Sequence, residues 1–359
     1  MRVVIAPDSF GGTLRADEAA SAIADGWRRV RADDGLVLLP MSDGGEGLLD
    51  VVATETHVRH EVEVAGPHGH PRIAAWLQQP DGSAVIESAS ACGLHLVPAS
   101  ARTPGRATTY GVGQLLAAAA AHGADPIRVG LGGSASIDGG TGALLALGYR
   151  LTVADGSGLK IGGDDLHRLA AIDRGWFRPL DAEVELLADV TTPLAEAAIR
   201  FGPQKGADER DIERYTHALR RVASVFERDL GADPALAELP GSGAAGGLGY
   251  GLMAALDAKV RPGAAMVADL VGLPAAVADA DLAITGEGRL DATSGQGKVV
   301  AAVRQLAAQA GRPTAAVVGQ LAGRVDGVEP VEEAAADGPG DDPAAEVAVA
   351  SERLAARFG

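Results

Sequence analysis

Short apolar runs of four to six residues, each closed by Gly, Pro or Asp, alternate along this chain with longer Ala/Leu/Arg segments at helical period. A strand followed by a helix, repeated, is the pattern of α/β architecture, because the helix carries the chain back to begin the next parallel strand. Residues 3–6 (Val3, Val4, Ile5, Ala6) read as a strand ending at Pro7-Asp8. Residues 16–30 read as a helix with Ala20, Ile23, Ala24 and Trp27 on one face and Asp17 as its cap. Further strands are expected at 36–39, 85–87, 127–130, 186–190, 282–285 and 314–318, and further helices at 112–121, 212–227, 299–309 and 344–357. The chain has 359 residues; at roughly 100–200 residues per domain it holds about two domains. With 49 glycines and only 3% aromatic residues, its core must come from Val, Leu, Ala and Ile, with many tight turns.

The charge balance narrows the function. A net charge of −17 repels phosphate backbones and anionic lipid, and no basic stretch is interleaved with aromatics, so nucleic acid is not an expected partner. The single Cys92 forms no internal disulfide, and the chain opens on a strand rather than a signal peptide, which gives a cytoplasmic expectation. No run of about 18 apolar residues is present to span a membrane.

Acidic residues stand at or just past the carboxyl ends of three expected parallel strands: Asp8, Asp43 with Glu46, and Glu287 with Asp291. Each alone also reads as a helix cap or turn residue. Together they fit a Mg²⁺ site or a proton acceptor for a hydroxyl, since ligands of open α/β sheets bind at that edge and Mg²⁺ takes a few oxygen ligands plus water and phosphate.

The densest glycine loop, residues 130–142 (Gly130-Leu131-Gly132-Gly133-Ser134-Ala135-Ser136-Ile137-Asp138-Gly139-Gly140-Thr141-Gly142), leaves a strand and enters a helix. Exposed backbone N–H groups in such a loop bind phosphate oxygens; a tight turn without ligand is the alternative. Gly241, Gly243 and Gly246 satisfy the spacing of the dinucleotide fingerprint, but Glu238-Leu239-Pro240 before them is no strand. No Walker A is present, because Gly297-Lys298 is followed by Val299 and Ala292 replaces the earlier glycine. Lys205, in a turn-rich loop, reads either as a partner for phosphate or carboxylate or as a solvated surface lysine, and Lys298 is similar. The eight histidines show no zinc spacing.

Read together, Ile5-Ala6-Pro7-Asp8-Ser9-Phe10, Pro40-Met41-Ser42-Asp43-Gly44-Gly45-Glu46-Gly47, the 130–142 loop, Asp189-Val190-Thr191-Thr192-Pro193-Leu194, residues 201–207, residues 243–249 and residues 285–291 resemble the bacterial glycerate kinase family, in the family's order and over most of the chain. The resemblance implies a two-domain α/β enzyme, and the short strands at 3–6, 36–39, 282–285 and 314–318 point to a Rossmann-like domain formed from both chain ends (1–65 and 275–359) plus an inserted second α/β domain (66–274), with the active site in a cleft. It implies transfer of the γ-phosphoryl of ATP, with Mg²⁺, to D-glycerate, giving 2-phosphoglycerate, in a monomer or homodimer.

On this reading Gly130, Gly132, Gly133, Ser134, Gly139, Gly140, Gly246 and Gly247 bind nucleotide. Ser9, Ser42, Asp43, Gly44 and Arg289 face the substrate, and Asp43, Glu46 and Glu287 hold the metal directly or through water. Asp189, or else Asp8, orients or deprotonates the acceptor hydroxyl, and Lys205 or Arg289 neutralises phosphate or carboxylate. The family usually has Lys where this chain has Gly11, and residues 195–200 are a few residues short. These departures leave two alternatives open: a kinase for a related small hydroxy acid, or a ligand-binding regulator that kept the fold and lost turnover. The 126–135 stretch is also similar to the phosphate loop of the galactokinase and homoserine kinase superfamily, but Asp138-Gly139-Gly140 interrupts the helix that should follow.

Overall fold

A computed structural model describes residues 1–291, 294, 298–336 and 338–358. Its strands are β1 (Arg2–Pro7), β2 (Gly35–Leu38), β3 (Val58–Ala65), β4 (Pro71–Gln78), β5 (Ala84–Glu87), β6 (Ile127–Gly130), β7 (Arg150–Val153), β8 (Leu169–Asp173), β9 (Val184–Leu187), β10 (Lys259–Arg261), β11 (Leu282–Leu290), β12 (Thr314–Leu321) and β13 (Val331–Glu333). Two sheets organise them, each in its own unit: residues 1–43, 50–52 and 262–359 form the first unit, and 44–49 and 53–261 the second.

In the first unit the sheet order is β13-β12-β11-β1-β2, parallel throughout. The interior strand β1 is covered on both faces, so its Val3, Val4, Ile5 and Ala6 form one continuous, fully buried apolar run. The helix Ala16–Val30 lays Ala19, Ala20, Ile23 and Trp27 into the core under β1 and packs on the helix Pro343–Ala356. Gly26 makes that crossing possible, since a Cβ there would lie 1.9 Å from the carbonyl oxygen of Ala348. Asp17 is not the cap of this helix. The backbone N–H of Arg15 instead meets the Glu18 carboxylate at 2.9 Å, and Asp17 pairs with the Arg15 side chain in the first turn.

The second unit carries the order β10-β9-β6-β5-β4-β3, parallel from β10 to β5 and antiparallel at β4 and β3, with β7 and β8 as a separate antiparallel pair. Its core includes Trp76, Ile86, Leu115, Leu116, Val129 and Phe226. The long helix Glu209–Leu230 begins on Asp208, whose carboxylate accepts the Asp211 N–H, and ends on Gly231 in the left-handed region.

The chain leaves the first unit after Asp43 and returns at Pro262, not at the 65/66 and 274/275 boundaries expected from sequence. The reason is physical: β3 pairs with β4 along eight residues, and the helix Gly263–Leu270 packs on the helix Val299–Gln309. Strands expected at 282–285 and 314–318 run on to 290 and 321, while the one expected at 186–190 lies earlier, at 184–187. Ala292 and Gly297, two of the positions compared with a Walker A, lie outside the described residues. Among the described residues no helix is long and apolar enough to cross a membrane.

Candidate active site

In the first unit, the carboxyl ends of β1, β11 and β12 open a cleft of about 390 Å³. Asp8, Ser9, Thr13, Glu287, Arg289 and Gln320 are among its lining side chains. Asp8 is placed there by register: Pro7 pairs with Gly286, and the Asp8 N–H donates to the Gly286 carbonyl at 2.8 Å. The floor is backbone, because a Cβ at Gly319 would stand 2.4 Å from the Gly288 carbonyl oxygen, so β11 and β12 approach this closely only through glycine.

Three carboxylates share the field of this cleft. Burial, then the nearby charges of Asp43 and Glu287, push the Asp8 carboxyl up to about 7, against the Ser9 N–H that donates to it at 2.7 Å. Burial, with Asp291 and Asp43, also raises Glu287, while Ser294 and Lys298 pull the other way. The Oε1 atom of Glu287 is buried with no hydrogen-bond partner among the described residues. Arg289, exposed beside them, makes no ion pair among the described residues.

These oxygens suit a hard divalent cation, which would relieve the mutual repulsion and give the buried Glu287 oxygen a partner. No set of three His, Cys, Asp or Glu side chains among the described residues stands ready-made as a metal cage. Mg²⁺ does not need one, since one or two carboxylates with water and phosphate suffice. Glu46 belongs to the second unit, where it pairs with His95 at 3.3 Å, so the carboxylate associated with Asp43 and Glu287 is Asp8.

In the second unit, the 130–142 loop leaves β6 and enters the short helix Thr141–Ala146. Two hydrogen bonds clamp its first half to the 92–94 segment: Leu94 N–H to the Gly133 carbonyl and Ala135 N–H to the Cys92 carbonyl, both 2.7 Å. This pairing turns the N–H of Ser134 away from that segment. Neither it nor the N–H of Gly133 meets a protein acceptor among the described residues. Gly133 is exposed at φ +72°, whereas the Gly132 N–H reaches the Gly44 carbonyl at 3.4 Å.

Asp138 fixes the second half. Its fully buried carboxylate accepts the N–H of Thr109 at 2.8 Å, the Thr109 hydroxyl at 2.9 Å and the Gly140 N–H at 3.1 Å. Burial raises this carboxyl, and those donors oppose the rise.

The sequence candidates therefore separate. Asp8, Ser9, Arg289 and Glu287 line one cleft, with Asp43 near enough to act on Asp8 and Glu287. Ser42 is buried and Gly44 packs on Leu187. Gly130 is packed on the Gly44 carbonyl, 2.3 Å from where its Cβ would stand. Gly139, Gly140, Gly246 and Gly247 are buried against one another's segments; a Cβ on Gly246 would stand 2.0 Å from the Ser136 carbonyl oxygen. Close backbone packing is what these four glycines provide, leaving exposed Gly133 and buried Ser134 as the loop positions whose amides meet no protein acceptor among the described residues. Asp189 lies two residues past β9, half-buried. Lys205, expected at a ligand, is 2% exposed and bonded to protein. Sequence reasoning missed Thr13 and Gln320 in the cleft, and Asp138 as an anchor; only the position of Gln320 just past a strand-ending glycine gave any signal.

Comparison with known proteins identifies the family. The profile of the glycerate kinase family matches residues 3–342. A glycerate kinase of Halalkalibacterium halodurans is 43% identical over 326 residues, covering 89% of this chain and 85% of that protein. The glycerate 2-kinase of Escherichia coli K12 is 40% identical over 329 residues, covering 89% and 86%. The crystal structure of a Salmonella typhimurium LT2 protein described as a glycerate kinase 2 superposes with a TM-score of 0.82 at 38% identity, covering 100% of this chain and 98% of that one. With a full-length profile match, relatives near 40% identity and a shared fold, the chain belongs to the glycerate kinase family, phosphotransferases with an alcohol group as acceptor.

Proposed function

We propose that the chain transfers the γ-phosphoryl group of ATP to the 2-hydroxyl of D-glycerate, giving ADP and 2-phosphoglycerate, with Mg²⁺ as its metal. The observation that carries the reading is the grouping of Asp8, Asp43 and Glu287 beside exposed Arg289 at the carboxyl edge of a parallel sheet. The name of the Escherichia coli relative, glycerate 2-kinase, supports the 2-position.

Phosphoryl transfer asks a protein for alignment and charge compensation more than for covalent chemistry. Arg289 takes the carboxylate of glycerate, as the exposed cation of an otherwise acidic cleft. Asp8 accepts the proton that leaves the acceptor hydroxyl as the new O–P bond forms and the bond to the ADP oxygen breaks. It suits that role better than Asp189 because it lines the cleft with Arg289, and burial, then the charges of Asp43 and Glu287, make it a stronger base than a solvated carboxylate. Ser9 and Ser42 orient the acceptor. The N–H groups of Gly133 and Ser134 receive phosphate oxygens. Asp43 and Glu287 would hold Mg²⁺, which when bound spreads the charge of the transferring phosphoryl group. We place the reaction in the cytoplasm, where a lone buried cysteine with its thiol pushed up to about 12 by burial stays reduced.

A coupled assay of ADP formation tests the reading, with D-glycerate compared against L-glycerate and four- to six-carbon sugar acids. Turnover is expected with D-glycerate and to vanish on chelation of Mg²⁺. Turnover confined to a sugar acid would move the substrate, and binding of glycerate without any turnover would replace the enzyme by a binding protein.

A further inference from the structure

Lys205 sits where a charge is costly. It ends the short turn Pro203–Lys205, and its side chain passes into the second unit's interior at 2% exposure. The ammonium donates to the Ser134 hydroxyl at 2.9 Å and to the Ser136 carbonyl at 2.7 Å, and no carboxylate forms an ion pair with it among the described residues. Burial lowers its own proton affinity to about 8, against the opposing influence of nearby Cys92 and Asp138. A hydrocarbon of similar volume would satisfy the fold at less expense, because a buried ammonium must recover its lost hydration from whatever it touches. What it touches is the loop in which the amides of Gly133 and Ser134 meet no protein acceptor among the described residues.

The loop is pinned on two other sides. Residues 133 and 135 are clamped to 92–94, and Gly139 donates to the Gly246 carbonyl at 3.0 Å. Between those anchors the peptide plane after Ser136 is held at its carbonyl by Lys205 and at its N–H, that of Ile137, by the Pro104 carbonyl at 3.3 Å, and the Ser134 side chain shares the same ammonium.

We propose that Lys205 is a positioning residue for the nucleotide: by holding Ser134 Oγ and the Ser136 carbonyl from beneath, it keeps the Gly133 and Ser134 N–H groups aimed at the triphosphate, and it touches no phosphate oxygen itself. The inference rests on the kinase reading above, and it replaces the direct neutralising role expected for this lysine from sequence.

The test is a double-mutant cycle read by calorimetric binding of the Mg²⁺ complex of the non-hydrolysable ATP analogue AMPPNP, together with kcat and both KM values. Lys205→Met is expected to weaken AMPPNP binding at least tenfold and to raise KM for ATP in step, with KM for D-glycerate unchanged within twofold. Ser134→Ala is expected to weaken AMPPNP binding several-fold, and the double variant to be no weaker than Lys205→Met. Additive losses in the double variant would overturn the proposal, because a lysine bonded directly to phosphate acts independently of the serine hydroxyl. If Lys205→Met does not fold, Ser134→Ala decides together with hydrogen exchange of residues 133–137: faster exchange and weaker binding support the proposal, and wild-type values of both overturn it. Failure of the unaltered protein to bind AMPPNP or consume ATP would instead remove the kinase reading, and this inference with it.

Discussion

The Asp138 carboxylate accepts both the N–H of Thr109, at 2.8 Å, and the Thr109 hydroxyl, at 2.9 Å, joining residues 29 positions apart in sequence. The same hydroxyl accepts the Ala143 N–H at 3.0 Å, so one buried carboxylate ties the glycine loop to the starts of two helices. Truncation strands these donors without solvent, at about 1–3 kcal/mol for each unsatisfied group. Asp138→Ala is expected to destabilise the second unit by about 3 kcal/mol or more, seen as an early transition in thermal unfolding. Asp138→Asn, which keeps an acceptor, should lose less.

Asp34 contributes an acid-labile part of the first unit's stability. The N-terminal ammonium at 2.7 Å, Arg31 Nε at 2.6 Å and Trp27 Nε1 at 3.0 Å all donate to it and hold its carboxyl well below the usual carboxylate range. A folded pKa below the unfolded value of about 3.9 means that the stabilisation is complete above that value and is lost as the pH falls through the folded one. At pH 7, Asp34→Asn should destabilise the first unit by about 2 kcal/mol, the scale of hydrogen bonds to a charged group. Thermal melts at successive pH values should show the gap to the unaltered protein closing below about pH 4.

Arg289 offers a substitution that the fold should tolerate, because its side chain is exposed and makes no ion pair among the described residues. Loss of a charge-assisted bond to a carboxylate removes about 1.5–3 kcal/mol of binding. Arg289→Met is therefore expected to raise KM for D-glycerate roughly 10- to 100-fold, with KM for ATP and the melting temperature little changed. Steady-state kinetics with each substrate varied in turn checks it.

Two glycines of the second unit should respond oppositely to alanine. At Gly246, φ is +68° and the new Cβ would overlap the Ser136 carbonyl at 2.0 Å, so Gly246→Ala should disrupt folding, seen as loss of soluble protein or a steep fall in melting temperature. At Gly133, φ is +72° but the nearest atom to a new Cβ is 3.4 Å away. Gly133→Ala should carry only about 1 kcal/mol of backbone strain and show its main effect in weaker nucleotide binding.

Much of the scaffold was legible because its elements carry strong local signals. The helices Ala16–Val30 and Val299–Gln309 and the strand β6 lie where apolar period and bounding glycines or prolines put them. The hairpin β3–β4 escaped notice although Val58, His60, Val62 and Val64 alternate with Arg59, Glu61 and Glu63, because the alternation is weakly apolar at its exposed start. The helix Ala244–Leu256 was hidden by its glycines, which bend it through left-handed residues at 245–247.

The site was legible where chemistry and chain position coincide. Asp8 follows from a strand ending at an acid, whereas β11 runs on through Glu287 to Leu290, and the mutual influence of the two needs the sheet order that puts β11 beside β1. The burial of Lys205 and Asp138 was not legible, for one reason. A lysine among turn residues and an aspartate among glycines both suggest solvent, and only long-range packing encloses them.

Phosphorus-31 NMR of the protein with ATP, Mg²⁺ and D-glycerate tests the central claim most directly. The account predicts ADP together with a new phosphomonoester resonance split into a doublet by the single proton on C2. A triplet would mean that the primary hydroxyl was phosphorylated, and ATP left intact beside unmodified glycerate would contradict the kinase assignment itself.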